Sequence, residues 1–328
     1  MYVLKKIISF SIVLIMAVTL ICSCSFLPEE LKFCKVNFYV DGKLYDSKTV
    51  VVGQIVSEPK MPAKENQIFV GWATEGAIAY KYDFSTKVLT NLNLHATFTI
   101  DAVSLTNLLT QQTMKSIVTV NYKSYNSAMG GMIETSATLS QGSGVVVDIS
   151  GGYCYVLTNY HVIDNDKNYT NHIISVEDPW GNVYEAQIYK NPSKSTYAES
   201  EEYDLALICF EYAPDQKSDL QEITMADDPD VDEYIVSLGT PAGLQNTISY
   251  GTVIAYQKIN AEEGSSLSKI PFDIILHNAQ IDHGSSGGAL VNTYGQLVGI
   301  NFAGYGSGPY GCSIPVSKVI EFMNLFVY

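Results

Sequence analysis

Ile281-Asp282-His283-Gly284-Ser285-Ser286-Gly287-Gly288-Ala289-Leu290 sets two serines among glycines and then runs into an apolar segment. Backbone free of side chains can curl tightly enough for successive amide hydrogens to converge on one point. Ser286 is therefore a candidate nucleophile, although a glycine-flanked serine standing alone is ordinarily a turn. Its hydroxyl needs a base to take the proton as it attacks. His161, in Tyr155-Val156-Leu157-Thr158-Asn159-Tyr160-His161-Val162-Ile163, is the candidate base. A carboxylate on the other ring nitrogen would fix its tautomer, and Asp204, in Tyr203-Asp204-Leu205-Ala206-Leu207-Ile208, is the candidate for that. Asp164 and Asp166 are nearer, but they follow the histidine in a polar stretch and read as turn residues. His, Asp and Ser thus occur in one of the known orders of a catalytic triad, with spacings that leave room for the strands between them.

The flanking text resembles the trypsin-like serine proteases and, among them, the bacterial Deg/HtrA branch, from residue 116 to residue 318. Gln141-Gly142-Ser143-Gly144-Val145-Val146-Val147 is similar to that branch's opening strand, Leu157-Thr158-Asn159-Tyr160-His161-Val162 to its histidine motif, and Leu238-Gly239-Thr240-Pro241-Ala242-Gly243-Leu244 to its glycine-proline turn. Tyr250-Gly251-Thr252-Val253-Ile254-Ala255, Gly299-Ile300-Asn301 and Ser313-Ile314-Pro315 match as well. The resemblance implies a mainly β fold of two antiparallel six-stranded barrels, chymotrypsin-like, closed by a C-terminal helix. It implies peptide-bond hydrolysis through an acyl-enzyme, with the amides of Gly284 and Ser286 as the oxyanion hole. It also puts Gln280 at the base of the specificity pocket, walled by Asn301-Phe302-Ala303 and Gly311-Cys312-Ser313. An uncharged Gln280 offers no partner to a buried lysine or arginine, so cleavage after Ala, Val, Leu or Thr is expected.

Two departures from the family pattern stand out. Ser285 replaces the aspartate that pairs with a freed N-terminus in trypsin-like zymogens, so activation by N-terminal cleavage is not expected. His283 replaces the proline common in the Deg/HtrA branch; it either disturbs the oxyanion loop or sits there partly exposed. Val319, Ile320, Met323, Leu325 and Phe326 give the segment from Lys318 to Tyr328 an apolar helical side, and no PDZ domain is expected after it. Homo-oligomers, often trimers in that branch, are a further implication.

Residues 33–99 have a different grammar. Lys35-Val36-Asn37-Phe38-Tyr39-Val40 alternates, Asp41-Gly42 is a hairpin turn, and Lys43 to Val52 returns. Ile68-Phe69-Val70-Gly71-Trp72, Tyr82-Asp83-Phe84-Ser85 and a closing run from Leu92 to Thr99 follow a proline loop. This order of phrases resembles the Listeria-Bacteroides repeat, a small β-grasp-like module of bacterial surface proteins, serving here as a spacer or as a ligand-binding unit. Asp101 then caps a helix expected from Ala102 to about Lys115. Short β-rich runs separated by turn clusters carry on to Pro315.

Lys5-Lys6 followed by an uncharged run from Ile7 to Ile21 has the profile of a signal peptide, and Ile21-Cys22-Ser23-Cys24 resembles a lipobox with Cys24 as the lipidated residue. The competing reading, an uncleaved anchor, needs a longer run, roughly 18 residues or more. The expected organisation is a lipoprotein signal and lipobox over 1–24, the repeat-like module over 33–99 and the protease domain over 100–328, exported and lipid-anchored on the outer face of the cell membrane. A net charge of −15 argues against a nucleic-acid partner. Protein or peptide substrates are expected instead.

Acidic residues crowd the stretch from Glu199 to Glu233, which reads as solvated loops, with a calcium site as the alternative. Otherwise no metal or cofactor is expected, since Cys and His form no ligand-spaced cluster. Cys34, Cys154, Cys209 and Cys312 are expected as free thiols, and His95, His172 and His277 as structural residues. A catalytically silent adhesion or chaperone-like lipoprotein is the alternative function.

Overall fold

The computed structural model describes residues 31–74, 81–129, 133–164, 168–191, 196–214, 218–240, 247–258, 270–305 and 310–326. The lipobox with Cys24, Asp166, and Pro241 to Leu244 of the glycine-proline turn lie outside them. The chain divides into two compact units, Met1–Thr99 and Ile100–Tyr328.

In the first unit, β1 (Phe33–Val40) and β2 (Lys43–Val51) form the expected hairpin, and Asp41 and Gly42 both take positive φ, 49° and 70°, as a twisted two-residue turn requires. With β3 (Gln67–Thr74) and β4 (Leu92–Ile100) they make a sheet of order β2-β1-β4-β3, in which β1 and β4 run parallel. Alternation buries Val36, Phe38 and Leu94 against Trp72, whose ring meets Phe38 edge-on at 5.0 Å. On the other face, Asn37 lies between Ser47 and Asn93, its amide donating to Asn93 and its carbonyl accepting from Ser47.

The second unit opens with α1 (Ala102–Gln111), capped by Asp101, whose carboxylate accepts from the Ser104 amide at 3.1 Å. The helix was expected to reach Lys115, but the chain tightens into a 3-10 turn over Thr113–Ser116. There Thr113 packs onto the backbone of Gly295, and its hydroxyl donates to Gly295 O at 3.4 Å.

Two antiparallel barrels of six strands follow. The first uses β5 (Ile117–Ala128), β6 (Ile133–Ser150), β7 (Tyr153–Thr158), β8 (Asn171–Glu177), β9 (Val183–Ile188) and β13 (Leu205–Glu211) in the order β13-β7-β6-β5-β8-β9. It closes through Ile208 opposite Ile188 and Cys209 opposite Gln187. Three two-residue strands, β10 (Lys190–Asn191), β11 (Thr196–Tyr197) and β12 (Glu199–Ser200), bridge β9 to β13. The second barrel uses β14 (Tyr234–Gly239), β15 (Thr247–Gln257), β16 (Ile274–His277), β17 (Ala289–Asn292), β18 (Leu297–Tyr305) and β19 (Tyr310–Pro315), and α2 (Val316–Phe326) closes the chain.

Leu205 to Phe210 is buried at every position because each face of β13 has an apolar neighbour. Ala206, Ile208 and Phe210 point into the first barrel, whereas Leu205 and Leu207 join Val236, Leu238, Ile300 and Phe322 in a core shared with the second barrel. That shared core is what fixes one barrel against the other. Burial of a leucine there stabilises by about 1.5 to 3 kcal/mol. The four cysteines of the described residues are buried and unpaired, and burial pushes the Cys154 and Cys312 thiols up to about 12.

Candidate active site

His161 stands in a one-turn 3-10 helix, Tyr160–Val162, directly after β7, and Asp204 immediately precedes β13. Pairing of these two strands, with Thr158 opposite Ala206, brings the residues together from distant sequence. Asp204 occupies the left-handed region at φ 50°, a conformation that aspartate tolerates better than most side chains. Its carboxylate then grips His161 at two points: Oδ2 lies 2.7 Å from the ring Nδ1, and Oδ1 accepts from the backbone N–H at 3.0 Å. Asn159 Nδ2 ties down the Asp204 carbonyl at 2.9 Å. A carboxylate can only accept, so Nδ1 carries the proton and Nε2 presents its lone pair. The carboxylate is 13% exposed and the imidazole 35%, so one partner is shielded and the other open to a substrate.

Ser286 belongs to a loop knotted by short hydrogen bonds, Ser285 N–H to Asp282 O at 2.9 Å and Gly288 N–H to Ser285 O at 3.0 Å. Gly284 and Gly287 have φ of 96° and 83°. A Cβ on Gly287 would overlap Ser143 O and Thr158 Oγ1, so glycine is required there both by conformation and by space. The histidine turn and the serine loop meet over Gly142: a Cβ at that position would lie 2.7 Å from Val162 Cγ2 and 2.9 Å from Ser286 O. The Ser286 hydroxyl donates to Phe302 O at 3.2 Å, and among the described residues it makes no hydrogen bond to His161. The amide hydrogens of Gly284 and Ser286 have no acceptor among the described residues.

The residues expected to shape the specificity pocket separate into two groups. Gln280 is exposed, its backbone N–H bonded to Ser249 Oγ at 2.8 Å and its amide to Asp282 at 3.3 Å, while Ala303 is half-buried. Asn301 is fully buried and spends its side chain inside the second barrel, donating to Ser237 Oγ and Ala289 O and accepting from Ser313 Oγ. The Phe302 ring joins the core between the barrels. The Asn301 side chain and the Phe302 ring therefore pack inward instead of lining a cleft. His277, buried beneath Gly311, bonds Ser313 Oγ through Nε2 at 2.9 Å, and burial, offset in part by the Ala279 backbone, pushes it down to about 4. Burial and the neighbouring Asp164 raise the Glu199 carboxyl. Among the described residues no group of acidic, histidine or cysteine side chains could hold a metal ion.

Residues 142–300 match the family described as trypsin-like peptidase domain. The chain carries a trypsin-like peptidase domain. Residues 35–97 match the Listeria-Bacteroides repeat domain. The peptidase region is similar to serine protease HTRA4 of Mus musculus, 35% identical over 185 residues covering 56% of this chain and 34% of that protein. It is also similar to the periplasmic serine endoprotease DegP of Escherichia coli, 35% identical over 169 residues, 50% of this chain and 30% of DegP. The chain thus spans about a third of the length of these Deg/HtrA relatives. A serine endoprotease structure from Yersinia pestis aligns over 67% of this chain and 65% of its own, at 25% identity and a TM-score of 0.47. Ser143, Thr158 and Thr240, which surround the serine loop of the peptidase domain, were not singled out as functional residues from the sequence; only the glycines flanking Ser143 hinted that backbone passes close by.

Proposed function

We propose that this protein is an exported serine endopeptidase of the Deg/HtrA type that hydrolyses protein or peptide substrates through His161, Asp204 and Ser286. In this reading Ser286 attacks the scissile carbonyl, His161 Nε2 takes its proton and later returns it to the leaving amine, and the amides of Gly284 and Ser286 receive the oxyanion of each tetrahedral intermediate. The observation that carries the reading is the two-point grip of Asp204 on His161, which leaves Nε2 as an acceptor, on a turn whose next residue, Val162, meets the serine loop over Gly142. The resting hydrogen bond of Ser286 to Phe302 O favours the alternative of a silent protease fold acting in adhesion or as a chaperone. Treatment with a fluorophosphonate separates the two, because labelling requires an activated serine and no knowledge of the substrate. Wild-type protein should be labelled and Ser286→Ala should not; an unlabelled wild type rejects the enzyme.

The likeness to DegP, named as periplasmic, supports an extracytoplasmic setting, and the charged start and apolar run before Cys24 support lipid attachment on the outer face of the cell membrane. No helix of the described residues is long and apolar enough to cross a membrane. Two acyl chains on Cys24 would hold the protein stably where one would not. Cys24→Ser should release the mature protein or leave the precursor uncleaved, and unchanged processing and membrane retention would overturn the lipid anchor. Self-assembly into a homo-oligomer belongs to the same proposal and is read by sedimentation.

A further inference from the structure

The carbonyl oxygens of Gly284 and Ser286, the two residues whose amides are the proposed oxyanion donors, both end on one residue of the other barrel. Ser143, on β6 of the first barrel, is fully buried, with its backbone N–H on Ser286 O at 2.7 Å and its hydroxyl on Gly284 O at 2.7 Å. The hydroxyl has one proton and two lone pairs, and all are committed. The proton goes to Gly284 O. One lone pair takes the Thr240 N–H at 2.8 Å, and Thr240 Oγ1 lies 3.2 Å away at the other. Thr158 Oγ1 donates to the Ser143 carbonyl at 2.7 Å, so the residue is itself fixed from β7.

Gly284 makes this matter. Glycine has comparable backbone wells on both sides of φ zero, so nothing intrinsic holds Gly284 at the 96° it adopts in the serine loop. External bonds must impose the orientation, and the only one on the Gly284 carbonyl among the described residues comes from the Ser143 hydroxyl. We propose that Ser143 is a positioning residue of the oxyanion site, its hydroxyl holding the Gly284 peptide and its amide holding Ser286, so that both oxyanion donors stay convergent. The proposal rests on the endopeptidase reading above.

The test uses the full chain with Ser143→Ala and two ligands of one peptide sequence. A peptide boronic acid forms a tetrahedral adduct with the serine and occupies the oxyanion site; the peptide carboxylic acid binds the same cleft without an adduct. Loss of Ser143 should weaken the boronate by about tenfold to a hundredfold, less than the 10² to 10³ that follows removal of an oxyanion donor itself, and leave the carboxylic acid within about twofold. In turnover the loss should fall on kcat with KM nearly unchanged. Should alanine not fold, Ser143→Cys keeps the volume and replaces a strong donor with a weak one, and the same boronate-to-acid ratio is read. A ratio equal to that of wild type, whether both affinities hold or both fall in proportion, overturns the proposal. Fluorophosphonate labelling of the wild type, run alongside, separates this failure from a failure of the endopeptidase reading, which an unlabelled wild type alone would signal.

Discussion

Protonation of His277 should destabilise this protein from the inside of its second barrel. The ring is inaccessible to solvent, Nδ1 is without a hydrogen-bond partner among the described residues, and Nε2 meets Ser313 Oγ, which in turn donates to Asn301 Oδ1. Because the Ser313 proton is committed to Asn301, Nε2 must be the donor, and a second proton could go only onto Nδ1, with the Ala279 backbone compensating only part of the cost of burying that charge. Burial accordingly lowers this group from its ordinary 6.5 to about 4. The folded state therefore holds fewer protons than the unfolded state between those values, and stability falls as pH drops through that window. Well above pH 6.5 the group contributes no pH dependence. Each pH unit inside the window costs at most about 1.4 kcal/mol, so the loss reaches about 2 kcal/mol at pH 5 and about 3 kcal/mol below pH 4. Against a total of about 5 to 15 kcal/mol, that is a large fraction.

Urea unfolding of wild type and His277→Gln at pH 7.5, 6 and 5 reads the effect, with the comparison cancelling the carboxylates common to both chains. The glutamine variant, which can still donate to Ser313, should be less stable than wild type at pH 7.5, and the gap should shrink by about 2 kcal/mol at pH 5. Parallel stability curves at all three values would refute the reasoning. A consequence for the site follows from connectivity. Asn301 O accepts the Gly287 N–H and Asn301 N–H donates to Gly288 O, each at 2.8 Å, so a proton that disrupts the His277-Ser313-Asn301 chain disturbs the bonds seating the serine loop.

Asp204→Asn should lower kcat by about 10⁴, since asparagine has one acceptor for two donors and, in keeping the His161 N–H, turns an NH₂ toward Nδ1 and forces the proton onto Nε2; a steady-state assay with an unfolded protein substrate checks it. Gly287→Ala should abolish activity and lower stability by about 2 kcal/mol or more, because the new methyl overlaps Ser143 O at a φ of 83°; activity together with an unchanged melting temperature would contradict that packing. Mass-spectrometric profiling of cleavage sites should find Ala, Val, Leu or Thr before the cut, with uncharged Gln280 at the expected pocket base, and a dominance of Lys, Arg, Asp or Glu would defeat that assignment.

Residues whose chemistry dictates their neighbours were legible in the sequence. The glycines around Ser286 and the apolar run after Asp204 announce a tight loop and a barrel strand, and a loop and strand of those kinds are found. What a strand does beyond its period of two was not legible. A bulge between Asn301 and Ala303 breaks the register of β18 with β19, so three successive residues placed on one pocket wall by resemblance point into a polar network, an apolar core and a half-exposed edge. The end of α1 was missed for a related reason: Thr113 answers to Gly295, far away in sequence, and local propensity cannot register that contact. Ser143 went unrecognised because a buried serine's partner, here the carbonyl of Gly284, is a fact of tertiary packing.

The resting position of the Ser286 hydroxyl bears on whether the fold is active or silent, and magnitude decides its weight. Leaving Phe302 O gives up one neutral hydrogen bond, worth about 1 kcal/mol net. Even uncompensated, that is about a fivefold reduction in rate, small beside the 10⁶-fold or greater acceleration an enzyme supplies. By contrast, building the Asp204 grip on His161 costs a left-handed aspartate, and shaping the serine loop costs two glycines at positive φ. A positive φ also occurs at Asp41, Asn66, Met129 and Asp232, so on the proposed reading the weight rests on the two hydrogen bonds that join Asp204 to His161 and not on the backbone alone.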